Sequence, residues 1–405
     1  MRQSCPHDPA GEAPAGTAAP VSAPHEWREL DLDTAVTDLG EAWRALLEAT
    51  DAPPTVDPVW QQTYWRAFRR GDAPLRVHAL PADGGVHAII PVRRTGRLVR
   101  RWSSGVNGHT PRRTFALTHS AAVASGVVER LMASVDVLDL GPAGICETEI
   151  ATLAQAARRR GLHVSKDASG ANAVIDLPAS WNELRRSLPH RLVSNTDRAL
   201  RQLRRLGRVS VELVTDGESL RRVLGECFAL ETLGWKGLPP GAPIGARPDT
   251  LQFYADLAQA AAAGGWLALY TLRLDSTLIA FEYCLRQRRS MELMKLSFHP
   301  DFARYSPGNV LRFAILEREI ESFCTRSYYM GPTSEWKARW ATRVETLCRL
   351  RIYRPGVRGT LAYVLGSWIP GAIRRHAALR SMARWLRQRA GGVGVVVATA
   401  AEVAW

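Results

Sequence analysis

Lysine is nearly missing from this chain. Of 405 residues only Lys166, Lys236, Lys295 and Lys337 are lysines, although Lys and Arg together number 53 against 39 Asp and Glu. The formal charge of +14 therefore rests on arginine. Abundant Ala, Arg, Gly and Pro point to a GC-rich coding sequence, so part of this charge is compositional; a positive surface still attracts phosphates, acidic polymers and anionic lipid.

Cysteine is also sparse. Cys5, Cys146, Cys227, Cys284, Cys324 and Cys348 form no C-x-x-C pair and lie near no histidines at metal spacing. That pattern argues against a zinc site and against a disulfide framework, and an unpaired Cys in apolar surroundings behaves as a small buried hydrophobe. Long hydrophobic runs are lacking too. Thr360 to Ile373 and Gly391 to Ala401 are too short or too interrupted by Gly, Ser and Pro to cross about 30 Å of hydrocarbon. The start of the chain has no basic stretch followed by a continuous apolar core, so no secretory signal is read there. A cytoplasmic location is the resulting expectation.

What is present is a globular composition, 46% apolar and 23% charged, on a chain too long for one ordinary core. Residues 1–26, rich in Ala, Pro and Gly, cannot offset the entropy of ordering and read as a disordered leader. Helical spacing marks Leu39 to Leu47 and Pro58 to Phe68, the second opening on Asp57-Pro58, a cap followed by a first-turn proline. Period-two runs on either side of Ala82-Asp83-Gly84-Gly85 predict a hairpin. A short strand near Phe115, a helix through Val127 to Met132, the strand VDVLDLG and a helix from Glu147 to Arg159 complete a mixed first half. An arginine-rich helix follows from about Arg191 to Leu206, with Leu192, Ala199, Leu203 and Leu206 as its apolar stripe.

The most informative stretch runs from Gly265 to Lys337. WLALYTLRL, TLIAFEYCLRQ and MELMKLSFH, joined at Asp275-Ser276 and Arg288-Arg289-Ser290, make an antiparallel meander. It leads into RYSPGN, where Ser306 can cap, Pro307 suits the first helical position and Gly308 permits close approach to the backbone. Such a helix start presents unpaired N–H groups at the positive end of a dipole, a place for an anion. With Arg304 and Tyr305 just upstream, a diphosphate is a fitting guest. RSYYMGP and TSEWKARW then supply a further strand and helix.

This order resembles the GNAT acyltransferase fold. Trp60 and Phe68, AIIPVRR, VIDLPASWNELRRSL, RQLRRLG, LETLGWKG, RYSPGN and MGPTSEWK together resemble, over about Trp60 to Pro355, the bacterial CelD-like acetyltransferases. These are relatives of proteins from cellulose and exopolysaccharide gene clusters and share a two-lobed build with the Fem aminoacyl transferases. One departure bears on the substrate: relatives usually carry an acidic residue on the strand before the Gly of MGP, where this chain has Tyr328 and Tyr329. Leu140-Gly141-Pro142 faintly echoes Met330-Gly331-Pro332, as in a duplicated fold.

The resemblance implies an α/β architecture of two tandem GNAT-like lobes, each a mixed, mostly antiparallel sheet flanked by helices. The lobes would span 27–180, without a cofactor site, and 181–357, with it; a basic helical tail would follow over 358–405. The activity implied is transfer of an acetyl or other acyl group from CoA to an amine or hydroxyl of a small molecule or glycan precursor, without a metal. Arg304, Ser306, Gly308 and Asn309 would hold the cofactor. Glu282, an acid inside an apolar strand that faces solvent, pairs with an Arg or serves as a base, is the first catalytic candidate, with Lys337 and Tyr305 beside it. Trp235, Trp336 and Tyr329 would line the substrate cleft.

The tail holds seven arginines and no acid between Arg358 and Arg389, with Leu379, Met382, Trp385 and Leu386 on one helical face. Such a segment lies on an anionic membrane or packs on the enzyme. Two rival functions remain: a Fem-like transferase drawing on charged tRNA, and a non-catalytic basic binding module. No RNA-binding or zinc-finger motif occurs, so a nucleic-acid partner is not favoured.

Overall fold

A computed structural model of the chain describes residues 26–69, 74–215, 218–234, 243–322 and 325–371. The leader, apart from Glu26, and the tail beyond Gly371 lie outside the described residues, as do Trp235, Lys236, Cys5 and Cys324. The first half comprises β1 (Arg28–Asp31), α1 (Leu32–Ala49), α2 (Pro58–Phe68), β2 (Leu75–Ala82), β3 (Gly85–Thr95), β4 (Arg101–Ser103), β5 (Ala116–Leu117), α3 (Ala121–Met132), β6 (Val137–Gly144), α4 (Thr148–Arg159) and β7 (His163–Asp176). The second comprises α5 (Trp181–Ser187), α6 (His190–Leu206), β8 (Val209–Val214), α7 (Glu218–Leu233), α8 (Pro248–Ala263), β9 (Leu267–Leu274), β10 (Thr277–Gln287), β11 (Ser290–Phe298), α9 (Pro307–Glu321), β12 (Ser327–Pro332), α10 (Glu335–Ala338), β13 (Arg343–Tyr353) and α11 (Val357–Tyr363).

Local chemistry sets several of these boundaries. The Asp57 carboxylate accepts the Val59 N–H at 2.8 Å with Pro58 in the first turn, and Asp31 and Ser120 cap α1 and α3 in the same way. α6 buries Ala199 and Leu203 as its stripe predicts, but Leu206 is 49% exposed, because the helix ends there and the chain runs on extended through Gly207.

Among the described residues the strands form one sheet, in the order β1-β2-β3-β4-β6-β13-β7-β12-β11-β10-β9-β8, with β5 beside β3. It is the expected mixed, mostly antiparallel sheet with helices on both faces; only β4 with β6 and β11 with β12 run parallel. The join between the halves is an exchange of strands. β13, from the far end of the chain, inserts between β6 and β7, and β7 in turn pairs with β12. At Gly141, where φ is +142°, β6 passes so near β13 that a Cβ would lie 2.8 Å from the Cys348 carbonyl oxygen; only glycine suits that approach.

The cores follow the same exchange. Cys348, Leu350 and Ile352 of β13 pack in the first-half core under α3 and α4. Trp60 and Tyr64 of α2 pack in a second-half core with α7 and α8, Trp60 lying edge-on to Phe253 at 6.0 Å. Truncating a buried aromatic of this kind costs about 3–5 kcal/mol. Cys227, Cys284 and Cys348 are free and buried. Cys146 departs from the expectation of unpaired thiols: it is disulfide-bonded. Among the described residues no helix is long and apolar enough to cross a membrane, and no group of three or more His, Cys, Asp or Glu could hold a metal ion.

Candidate active site

β11 and β12 pair in parallel over only three positions, Ser290 with Ser327, Met291 with Tyr328 and Glu292 with Tyr329. Beyond them β11 continues along β10 to Phe298, while β12, paired with β7 from Ser327 onward, follows that strand alone to Pro332 opposite Asn172. The strands diverge, with Glu292 and Tyr329 at the vertex and the start of α9 at the wide end.

A short 3-10 helix, Pro300–Tyr305, ends at Ser306, whose left-handed backbone (φ +46°, ψ +50°) redirects the chain into α9 with Pro307 in its first turn. Ser306 is exposed and its side chain caps nothing. The sequence suggested several unpaired amides here; the structure leaves one. Pro307 has none, the Ser306 N–H donates to the Ala303 carbonyl and the Asn309 N–H to the Ser306 carbonyl, each at 2.9 Å. Only the Gly308 N–H lacks a partner among the described residues. A Cβ at Gly308 would meet nothing nearer than Phe298, at 3.9 Å. The corner is open, and Arg304 stands exposed beside it, its guanidinium 4.6 Å from the Tyr305 ring. A free amide, an open glycine, an accessible hydroxyl and a guanidinium at the positive end of a 15-residue helix fit a phosphate group.

Two buried carboxylates occupy opposite faces of the sheet behind this corner. Glu282, on β10, is 1% exposed and bonded through one oxygen to Arg312 of α9 and through the other to the Tyr328 hydroxyl. Burial raises its pKa, opposed by Arg312, Tyr328 and the charge of Lys337. The Arg312 guanidinium lies 4.8 Å from the Trp336 ring and 5.3 Å from the Trp340 ring, so indoles roof the pair. Lys337 is half-buried beside them, its Nζ 5.5 Å from the Trp336 ring. Both oxygens of Glu282 are thus engaged under this roof, the ion-paired alternative that the sequence left open.

Tyr328 and Tyr329 are consecutive in a strand and so face opposite sides. On the second face, Arg112 lies 3.9 Å above the Tyr329 ring and donates to Glu292 Oε1 at 2.9 Å; the Tyr329 hydroxyl accepts from Arg343 at 3.3 Å. Arg112 comes from the first half, so the vertex is built by both halves. Glu292 is 1% exposed, and its second oxygen has no partner among the described residues; neither has Asn172 Oδ1 nor Glu345 Oε2 close by. Burial lifts the Glu292 pKa to about 7, Arg112 opposing and Glu345 and Glu147 adding to the rise. Along the same face His109 stacks on Phe68 at 5.1 Å and bonds the Tyr254 hydroxyl at 3.1 Å. Burial and the neighbouring Lys295 lower its pKa to about 4.

The structure thus gathers Arg304, Tyr305, Ser306, Gly308 and Asn309 at the helix start, sets Glu282, Trp336 and Lys337 around Arg312, and puts Tyr329 at the vertex; Trp235 lies outside the described residues. Sequence reasoning missed Arg112, His109, Glu292 and Glu345. Glu292 carried the same signal as Glu282, an acid inside an apolar strand. Arg112 lies 180 positions from its partner, and nothing local announces the pair.

Residues 190–338 match the acetyltransferase (GNAT) domain family. No curated protein matches the chain. Among solved structures, FemX is similar at 12% identity with a TM-score of 0.59, covering 84% of this chain and 99% of FemX. The C-terminal domain of a putative lysylphosphatidylglycerol synthetase from Agrobacterium fabrum is 13% identical (TM-score 0.46, 80% and 95% covered). A tandem GNAT protein from the clavulanic acid biosynthesis pathway is also 13% identical (TM-score 0.40, 82% and 99% covered). The likeness to FemX, at 12% identity, is one of fold. Diverging parallel strands and an open helix start lie within the residues, 190–338, that are similar to the GNAT acetyltransferase domain.

Proposed function

We propose that the chain transfers an acyl group from a CoA thioester to a primary amine of a small molecule or glycan precursor, and that Glu292 accepts the amine proton. The observation that carries this reading is the unpartnered, buried oxygen of Glu292 at the vertex of the diverging strands, on a carboxylate whose pKa lies near 7. A base poised at the working pH is what proton removal from an ammonium requires. When bound, acyl-CoA supplies the activated acyl carbon and a thiolate leaving group. The Gly308 N–H, the Ser306 hydroxyl and Arg304 are the groups that would hold its diphosphate. Arg112 fixes the Glu292 carboxylate from one side and leaves the other oxygen available. Tyr329, held between Arg112 and Arg343, forms a wall of the acceptor site. We place the transferase half at 181–357 and, from LETLGWKG, RYSPGN and MGPTSEWK, nearest the CelD-like acetyltransferases.

Thermal unfolding with acetyl-CoA, longer acyl-CoAs and tRNA tests the donor, since a ligand bound only to the folded chain raises its midpoint. The reading expects stabilisation by an acyl-CoA, lost in Gly308→Val. Stabilisation by tRNA alone would replace the donor.

A further inference from the structure

α11 and the π-helical turn that continues it, Val364–Trp368, are packed with their polar side inward. Tyr363 stacks on His163 at 4.9 Å and lies edge-on to Tyr353 at 5.4 Å. Ser367 is 5% exposed; its hydroxyl donates to Asp167 at 2.9 Å and lies 2.7 Å from the Tyr353 hydroxyl and 2.9 Å from that of Ser165. The segment is therefore anchored on β7 and β13 through hydroxyls and rings. Its outer side carries Val357, Leu361, Leu365 and Trp368, exposed by 87, 54, 56 and 53%. Successive steps of four, four and three residues keep them on one side of a helix.

This is not the ordinary scatter of surface hydrophobics. Of the nine large apolar residues exposed among the described residues, four fall in this one stripe and the other five are dispersed. A contiguous apolar face marks a contact surface. The sequence around it names the contact: Arg354 precedes the stripe and Arg358 lies within its span, Arg374, Arg375, Arg380, Arg384, Arg387 and Arg389 follow in the sequence, and no Asp or Glu occurs from Arg354 to Ala401. Mating with a second copy through this face would bring Arg354 and Arg358 of the two copies together without a counter-charge from the same segment. An anionic bilayer offers both an apolar layer for the stripe and negative headgroups for the arginines, and Trp368 at the stripe's end suits the headgroup boundary.

We infer that this face docks the protein on anionic lipid membranes, the stripe entering the headgroup–acyl boundary and Arg354 and Arg358 pairing with lipid phosphates. The inference stands apart from the acyl-transfer reading. Its test is flotation of the full chain with phosphatidylcholine vesicles, with and without phosphatidylglycerol, comparing wild type with Leu361→Ser/Leu365→Ser/Trp368→Ser. All three residues are exposed, and an unchanged far-ultraviolet spectrum and melting midpoint verify the variant's fold. Should the triple change unfold the chain, Leu365→Ser alone replaces it. Wild type is expected to float with the phosphatidylglycerol vesicles and not with phosphatidylcholine alone, and the variant's partitioning to fall at least about tenfold. Equal partitioning of the variant would mean that arginine charge alone binds, and overturns the docking face. So does failure of wild type to float, or a wild-type dimer in light scattering that the triple change dissolves.

Discussion

Glu282 and Glu292 sit ten positions apart on neighbouring strands, each 1% exposed, each within an apolar run, each bound to an arginine. They differ in what is left over. Glu282 has both oxygens satisfied, by Arg312 and Tyr328, within one half of the molecule. Glu292 has one oxygen held by an arginine from the other half, one oxygen unclaimed, and two further carboxylates raising its pKa. Burying a charge is tolerable when it is fully paired. A carboxylate left half-paired at a strand divergence costs stability, and such features concentrate where chemistry is done. The difference teaches that burial and a raised pKa are common to both carboxylates; what separates them is the unused valence of Glu292, on which the proposed proton transfer rests.

The comparison breaks most visibly in turnover. Glu292→Gln is expected to lower kcat about 10²–10⁴-fold with whichever amine, from a panel of amino sugars and diamines, supports release of the CoA thiol. Glu282→Gln, which keeps a hydrogen-bonding partner for Tyr328, should leave kcat within about tenfold, as for a group that only supports the site. The second difference is in stability. Arg312→Ala leaves the buried Glu282 carboxylate without its counter-charge, with only the Tyr328 hydroxyl bonded to it, and should cost about 3–5 kcal/mol in denaturant unfolding. Arg112→Ala should cost less, since the Glu292 pKa of about 7 lets that carboxylate take up a proton instead.

Gly308→Val should weaken acetyl-CoA binding at least about tenfold in calorimetric titration, or about 1.4 kcal/mol, with little effect on unfolding, because the added side chain meets open space. The smallest effect is on the pH dependence of stability. The folded-state pKa of His109 falls from 6.5 to about 4, so the native chain resists protonation there, and this contribution is lost as pH falls from about 6.5 to 4. Glu292 has the opposite sign: its folded value rises from 4.5 to about 7, and its contribution is lost as pH rises through that window. His109→Phe should flatten the acid-side loss, and Glu292→Gln the loss on the neutral side.

The fold was legible where local pattern and tertiary role agree. The meander, the Asp57-Pro58 helix start and the Ser306-Pro307-Gly308 junction carry their own signals, and the structure places them at the expected residues. The join was not. β7, with Ser165, Lys166, Asp167, Ser169 and Gly170 in its first part, carries no apolar alternation there and predicts no element; it is a strand because β13 and β12 flank it. Periodicity cannot report a partner nearly two hundred positions away. For the same reason the sequence offered Glu282 and not Glu292: both are acids in apolar strands, and only the arrival of Arg112 on one of them, with nothing for its second oxygen, tells them apart. The free amides expected around Ser306 shrank to one because the left-handed turn at Ser306 lets its own carbonyl accept the next N–H groups.

The most direct test is the pH dependence of kcat/KM for acyl transfer in wild type and Glu292→Gln, measured with the same amine and acetyl-CoA. A carboxylate base with a pKa of about 7 predicts a wild-type rate that climbs with pH and levels off above that value, and a variant both slower and without that climb. A Glu292→Gln profile that keeps the same ascending limb at a comparable rate would contradict the assignment of Glu292 and, with it, the placement of the reaction at the strand vertex.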